Sequence, residues 1–272
     1  MPREGTGPDF IESLARGLEV IMAFEPGRPA MTLAEVATAT GLARPTARRI
    51  LLTLTELGFV RQETSGGAGF ALTPRVLDLG VAYVRSQGLW DLARPHMEEL
   101  SAATAESCSI AQLDGSDIVY VARVAVPKIV ALAVQIGTRF PALQTSLGKV
   151  LLAGLCPEEV DEVLAEPSRS GLTARWRPDR AERDAELREV RARGWALTDQ
   201  QLALGIRSVA VPLRDGTGRV VGALNVNTHA AETSVEHLLD HHLPLLLKAA
   251  GEISADFARV EAVPHVTRTA AS

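Results

Sequence analysis

Apolar residues recur at helical spacing at Leu14, Leu18, Ile21 and Met22, with Ser13 placed to cap that helix and Pro26-Gly27 to stop it. Thr32 followed by Leu33-Ala34-Glu35 is a capping-box pattern, which opens a short second helix over Leu33 to about Thr40. Gly41 ends it, since glycine tolerates the left-handed conformation of a sharp turn, and Leu42 is placed to anchor that turn in the core. A third helix runs from about Arg44 to Leu57, and Pro45 fits there because first-turn amides have no intrahelical partner. On a wheel, Ala47, Ile50, Leu51, Leu54 and Leu57 share the inward face, while Pro45, Arg48 and Arg49 point away with Arg44 and Thr46 at the edges. Arginines leading a helix that follows a short helix and a tight turn are the layout of a recognition helix in a helix-turn-helix. A solvated basic face on a packing helix is the plainer alternative.

Two strand-like pieces follow, Gly58 to Arg61 and Phe70 to Leu72, joined by the glycine-rich Thr64 to Gly69. This predicts a wing whose tip residues Thr64, Ser65 and Gly66 suit the sugar-phosphate backbone, although glycines serve a plain hairpin equally well. From Thr73-Pro74 a helix is predicted to about Ser86, with an apolar stripe that invites pairing with a second copy.

Beyond it the pattern changes to blocks of strands and helices with hairpin links. A helix is expected over Leu89 to about Ala105, then strands at Ser107 to Leu113, Ile118 to Val124 and Ile129 to Ile136. Helices are predicted at Ser146 to Leu155, Glu158 to Leu164 and Arg180 to Arg193. Strands return at Ala196 to Asp199, Ser208 to Leu213 and Val220 to Asn227, and a long closing helix starts after Thr233-Ser234. Asp114-Gly115 and Asp215-Gly216-Thr217-Gly218 are the hairpin signals. The order predicts an antiparallel α+β domain rather than a doubly wound sheet.

Charge sharpens this division. Up to Ser86 nine arginines face nine acids, so the whole net charge of −5 belongs to the remainder, which phosphate would repel. Any DNA contact therefore comes from the N-terminal third. The longest apolar runs, Val130 to Ile136 and Val150 to Leu155, fall short of the roughly 20 residues of a bilayer span. Met1 to Phe10 is polar where a secretory signal is basic and then apolar, so a cytoplasmic protein with no membrane partner is expected. Cys108 and Cys156 have no partners at metal-ligand spacing and are expected to be buried.

No GxSxG, P-loop or dinucleotide glycine motif is present, so no enzyme activity, no catalytic residues and no cofactor are expected; an enzyme fused to a DNA module is the alternative class. His237 and His241, four apart, resemble metal-ligand spacing without the glutamate of a zinc protease motif, and a solvated helix face with no metal is expected. The informative residues are polar ones in apolar pieces. Thr145, Ser146, Leu147 and Gly148 open a helix whose free amides favour an anion, Ser208 begins an apolar strand, and Asn225 and Asn227 alternate along another. A few convergent polar groups in an apolar pocket suit a small ligand; a solvent-facing strand edge is the other reading of the asparagines.

With that order in hand, the chain resembles the IclR family of transcription regulators over Phe10 to Val260. The resemblance is carried by Thr32 to Ala37 with Gly41-Leu42, Thr46 to Leu51, Leu72 to Leu77, Ser146 to Ala153, Gly194 to Asp199 and Gly205 to Pro212. It is similar in particular to the PcaR/PcaU/PobR branch at Phe10 to Leu18, Ile136 to Ala142 and Val226 to Ala230. Members of that branch control catabolism of protocatechuate, 4-hydroxybenzoate and related acids. The resemblance implies a dimer or dimer of dimers on palindromic operators, with an aromatic or dicarboxylic acid effector in a GAF-like domain. It places the pocket at Ser146, Leu147, Asp199, Ile206, Ser208, Asn225 and Asn227. Members often carry Glu-Glu after the aspartate and Cys after the arginine. Gln200-Gln201 and Ser208 stand there in this chain, implying an effector other than the glyoxylate type.

The expected organisation is α+β: a disordered start over 1–9, a winged helix-turn-helix over 10–73, a linker helix over 74–88, a GAF-like antiparallel α+β effector-binding domain over 89–262, and a disordered tail over 263–272. Arg48 and Thr46, helped by Arg44, Pro45 and Arg49, are expected to read the groove. The Ser146 amides and Ser208 are expected to hold the effector carboxylate.

Overall fold

The computed structural model describes residues 7, 9–24, 28–63, 69–79, 89–127, 134–172 and 178–261. The chain divides into two units, residues 1–86 and 87–272.

In the first unit α1 (Glu12–Met22) starts one residue before the expected cap. Ser13 lies inside it, and Ile11 caps through its carbonyl alone, which accepts from the amides of Leu14 and Ala15 at 3.0 and 3.2 Å. Glu12 at the positive helix end and its 2.9 Å pair with Arg16 supply the start that a hydroxyl was expected to give. The capping box forms as written: Thr32 accepts from the Glu35 amide, and the Thr32 amide donates back to Glu35 Oε2 at 2.7 Å. It opens α2 (Leu33–Thr40), which Gly41 closes at φ +65°. Then α3 (Arg44–Glu56) carries Pro45 in its first turn. Ala47, Leu51 and Leu54 are buried against Val20, Met31, Val36 and Phe70, with Ile50 and Leu42 partly buried beside them. Leu57 was expected on that face but is 51% exposed, because the helix has ended and it forms the C-cap.

The wing has three strands, not two. β1 (Ala30–Thr32) pairs with β3 (Gly69–Leu72), which pairs with β2 (Val60–Glu63), all antiparallel. β1 was missed because its three residues run straight into the α2 cap. Pro26-Gly27, the tip residues Thr64, Ser65 and Gly66, and the linker helix beyond Leu79 lie outside the described residues. The described start of the linker is a 3-10 turn, Pro74–Val76, continued helically to Leu79.

The second unit is built on one antiparallel sheet in the order β6-β5-β4-β9-β8-β7. Its strands are β4 (Ser107–Asp114), β5 (Asp117–Val124), β6 (Arg139–Pro141), β7 (Ala196–Asp199), β8 (Ile206–Arg214) and β9 (Val220–His229). The strand expected at Ile129 to Ile136 falls largely on residues outside the description, and Val134 to Ile136 are not strand; the sheet is instead completed by β6. One face packs on α4 (Leu89–Thr104) and α8 (Leu243–Glu261) through Met97, Ile110, Val209, Leu224, Ile253 and Phe257. A short turn at Val235–His237, capped by Ser234, and a π-helical turn at Leu238–His242 lead into α8. The other face packs on α5 (Ser146–Ala153), α6 (Pro157–Ala165) and α7 (Arg180–Arg193).

This second face is made of small and polar side chains. Cross-strand pairing aligns Ser107 with Asn227, Ser109 with Asn225, Ala111 with Ala223, Ser208 with Asn227 and Ala210 with Asn225. Small residues let α5 lie close enough for all eight of its residues to be buried. Gly148 makes the approach possible, since a Cβ there would stand 2.1 Å from the carbonyl oxygen of Ala142. Gly148→Ala would gain about 1 kcal/mol of helix propensity. The clash is against backbone that moves only with its whole segment, so we expect a net loss of about 2 kcal/mol. All three tryptophans lie in the second unit, so urea unfolding followed by their fluorescence reads this directly.

Candidate functional site

The leading half of α3 is a free cationic surface. Arg44, Pro45, Arg48 and Arg49 are exposed and Thr46 is half-buried. Among the described residues none of the three arginines meets a carboxylate, whereas Arg61 on β2 pairs with Glu63 at 2.7 Å. Arg49 and Thr46 also border an apolar groove of about 750 Å³ between α1 and α3. Leu14, Leu18, Leu57 and Leu79 line it and are 45–61% exposed.

In the second unit the polar residues converge where the N-terminus of α5 meets the sheet. Tyr120, Gln144, Thr145, Ser146, Thr198, Leu202, Ile206, Ser208, Asn225 and Asn227 enclose a cavity of about 20 Å³. Ser146 Oγ and Ser208 Oγ share a hydrogen bond of 2.7 Å. Asn225 Nδ2 donates to Ser208 Oγ at 3.0 Å and to Asn227 Oδ1 at 3.1 Å. Asn225 is 2% exposed, so its strand is no solvent edge, and its Oδ1 has no partner. Thr145 Oγ1 accepts from the Gly148 amide at 2.9 Å and Thr145 O from the Lys149 amide at 3.0 Å. Helix geometry thus leaves the amides of Ser146 and Leu147 to be met from outside the helix.

Five of the eight residues expected at the effector site line this cavity or adjoin it directly: Ser146, Ile206, Ser208, Asn225 and Asn227. Leu147 is instead wholly buried in the core, and Gly148 serves the approach to Ala142. Asp199 turns away: its carboxylate accepts from Arg207 Nε and Nη2 at 2.8 and 3.1 Å, and it does not line the cavity. The polar outcome of the Asp-Gln-Gln run belongs to Gln201, whose Oε1 accepts from Lys149 Nζ at 2.6 Å. Lys149 is fully buried and also donates to Glu186 Oε1 at 2.5 Å; burial lowers its pKa while Glu186 holds it up. Tyr120, Gln144, Thr198 and Leu202 were missed, while Thr145, read as part of the helix opening, lines the cavity. A strand pattern alone cannot show which of two alternating faces a helix will cover.

Cys108 is buried and its thiol donates to Met97 O, but Cys156 is exposed, because it sits at the N-cap of α6 where its amide donates to Glu159. The His237 and His241 rings stack at 4.3 Å, and no group of three metal-ligating side chains occurs among the described residues. Among those residues no helix is long and apolar enough to cross a membrane.

The pattern of the IclR helix-turn-helix domain matches residues 13–64, and that of the bacterial transcriptional regulator IclR C-terminal domain matches residues 81–255. The chain belongs to the IclR family. It is 39% identical over 247 residues to the Pca regulon regulatory protein of Pseudomonas putida, covering 90% of this chain and 84% of the relative. It is 33% identical over 250 residues to the p-hydroxybenzoate hydroxylase transcriptional activator of Acinetobacter baylyi, covering 90% and 91%. The crystal structure of a Rhodococcus sp. RHA1 protein assigned as a transcriptional regulator superposes with a TM-score of 0.80 at 47% identity, covering 92% of this chain and 100% of that one. An IclR homologue of Microbacterium hydrocarbonoxydans complexed with 4-hydroxybenzoate shares the fold, with a TM-score of 0.78 at 23% identity over 91% and 99% of the chains.

In this IclR-family chain the Asp199–Arg207 pair ties β7 to β8 beside the cavity, and the Arg207 hydrogen bond holds the Asp199 carboxyl below its ordinary 3.8. A folded-state pKa below the unfolded one contributes stability above the ordinary value and loses it as pH falls through the folded value. Asp199→Asn should therefore cost stability at neutral pH by an amount that shrinks below pH 3.8. Urea melts of both proteins across that range check it, and a pH-independent difference would remove the charge pair as its source.

Proposed function

We propose that this protein is a cytoplasmic, sequence-specific transcription regulator that binds operator DNA through α3 as a homodimer and is controlled by a small aromatic or dicarboxylic acid. The observation that carries the DNA reading is the set of unpaired arginines on the leading turns of α3, directly after the Gly41 turn. Arg48 and Thr46 face base edges, and Arg44 and Arg49 reach phosphates beside them. The second copy is supported by the exposed apolar groove along α1 and α3, which a lone chain leaves in water, and by the two-fold symmetry of operator half-sites.

The effector reading rests on the Ser146–Ser208–Asn225 network. The described residues that line it are hydroxyl, amide and apolar side chains, a set that suits a bound small molecule. The names of the Pca and p-hydroxybenzoate relatives favour an acid from aromatic catabolism. A cavity of about 20 Å³ holds roughly one water. An organic acid enters it only as Ser146 and Ser208 part, which moves α5 against β8. That differential fit to two arrangements is what shifts a population.

Arg48→Ala should weaken specific operator binding by about 1–3 kcal/mol and relax base preference at one position of each half-site; undiminished affinity would remove it from the interface, and light scattering of the wild-type complex should give an even number of chains. Ser208→Val should blunt the melting-temperature rise produced by 4-hydroxybenzoate or adipate and leave ligand-free operator binding unchanged. An unaltered ligand titration counts against the network as the effector site.

A further inference from the structure

The register of β4 and β5 shifts between Ile110 and Ala111, so that Ser109 faces Arg123 while Ala111 faces Tyr120. The bulge brings two side chains three residues apart onto the same face of the sheet. That face is the one carrying Ser109, Asn225 and the cavity. Arg123 Nη1 donates to Ser109 Oγ at 3.0 Å, and among the described residues no carboxylate meets the guanidinium. Lys149, the buried cation that α5 brings to this side of the sheet, is by contrast neutralised by Glu186. The Arg123 charge also reaches the cavity wall, where it works against the burial that raises the Tyr120 phenol.

Charge decides which end of an acid goes where. The Ser146, Ser208, Asn225 and Asn227 end offers hydrogen bonds without net charge, and one of its groups, Asn225 Oδ1, is a buried acceptor that repels a carboxylate and calls for a donor. Taking a carboxylate out of water requires a compensating charge, and a half-buried guanidinium with four N–H donors to spare supplies it. We propose that Arg123 anchors the effector carboxylate, with the acid's hydroxyl end directed to Asn225 and Ser208. This rests on the effector reading above and reverses the orientation expected from the α5 amides.

The test is calorimetric titration of the full chain with 4-hydroxybenzoate and protocatechuate, each beside its amide, and with adipate, whose second carboxylate the uncharged Asn225 end should disfavour. Wild type should prefer acid over amide by about tenfold or more, and Arg123→Gln should bring that ratio close to one. Should Arg123→Gln fail to fold, Arg123→Lys keeps the charge and loses the fork; it should lower acid affinity and spare amide affinity. An acid-over-amide ratio unchanged in Arg123→Gln, or acid and amide losing equally in Arg123→Lys, overturns the assignment and leaves the effector reading standing. A wild type that binds none of the three acids overturns both.

Discussion

The second unit depends on one close approach, the seating of the eight-residue α5 on the small-residue face of the sheet. A helix buried along its whole length has to meet its own N-terminal amides locally, and Thr145 does so for Gly148 while its carbonyl takes Lys149. Backbone contact with Ala142 is possible only because position 148 has no Cβ. The same constraint dictates alanine and serine on β4, β8 and β9, since larger side chains would lift the helix away. Those small residues leave the gap that becomes the cavity. Packing and cavity are thus two results of one geometric requirement, and this is why Ser146 and Ser208 meet across it.

Charge pairing supplies the second level of organisation. Among the described residues of the second unit most cations lie beside an acid or a carbonyl, and the exceptions in both units are informative. An exposed arginine costs nothing to leave unpaired, so the three on α3 gain meaning from where they stand: on a helix held at a fixed angle by the Gly41 turn and the Thr32 box. A half-buried arginine is different, because desolvation is tolerated only with compensation. Arg123, held among the described residues by a single serine hydroxyl, is therefore a stronger signal than any surface arginine. Lys149 shows the opposite outcome, a buried cation fully engaged with Glu186 and Gln201 that ties α5 to the segment carrying Leu202 and Ile206.

Much of this was legible in the chain because local rules suffice for it. The Thr32 capping box, the Gly41 stop and the first-turn Pro45 each depend on a few consecutive residues, and each formed as read. Arg180–Arg193 and Ala196–Asp199 likewise follow from periodicity alone. What failed depends on contacts distant in sequence. Asp199 follows Thr198, which lines the cavity, so alternation along β7 turns it to the opposite face, where the β7–β8 register pairs it with Arg207. Tyr120 and Arg123 share a face only through a bulge whose cause lies in pairing with β4, invisible in a two-residue period. β1 escaped because three residues give no alternation to detect.

The closed cavity bears on how a ligand of the proposed kind would act at a distance within its own unit. A preformed pocket would bind with little reorganisation and so with little consequence beyond itself. In this unit the groups that would hold an acid already hold each other, and their hydrogen bonds span α5 and β8. Replacing them forces the helix and strand apart by at least the width of the ligand. Because Lys149 sits one turn after Ser146 on the same helix, that displacement carries the buried Glu186 and Gln201 contacts with it. Close-packed interiors yield by switching between discrete arrangements rather than by stretching. Under the proposed effector reading, the binding energy of a small acid would thereby be converted into a change of position along α5 and α7.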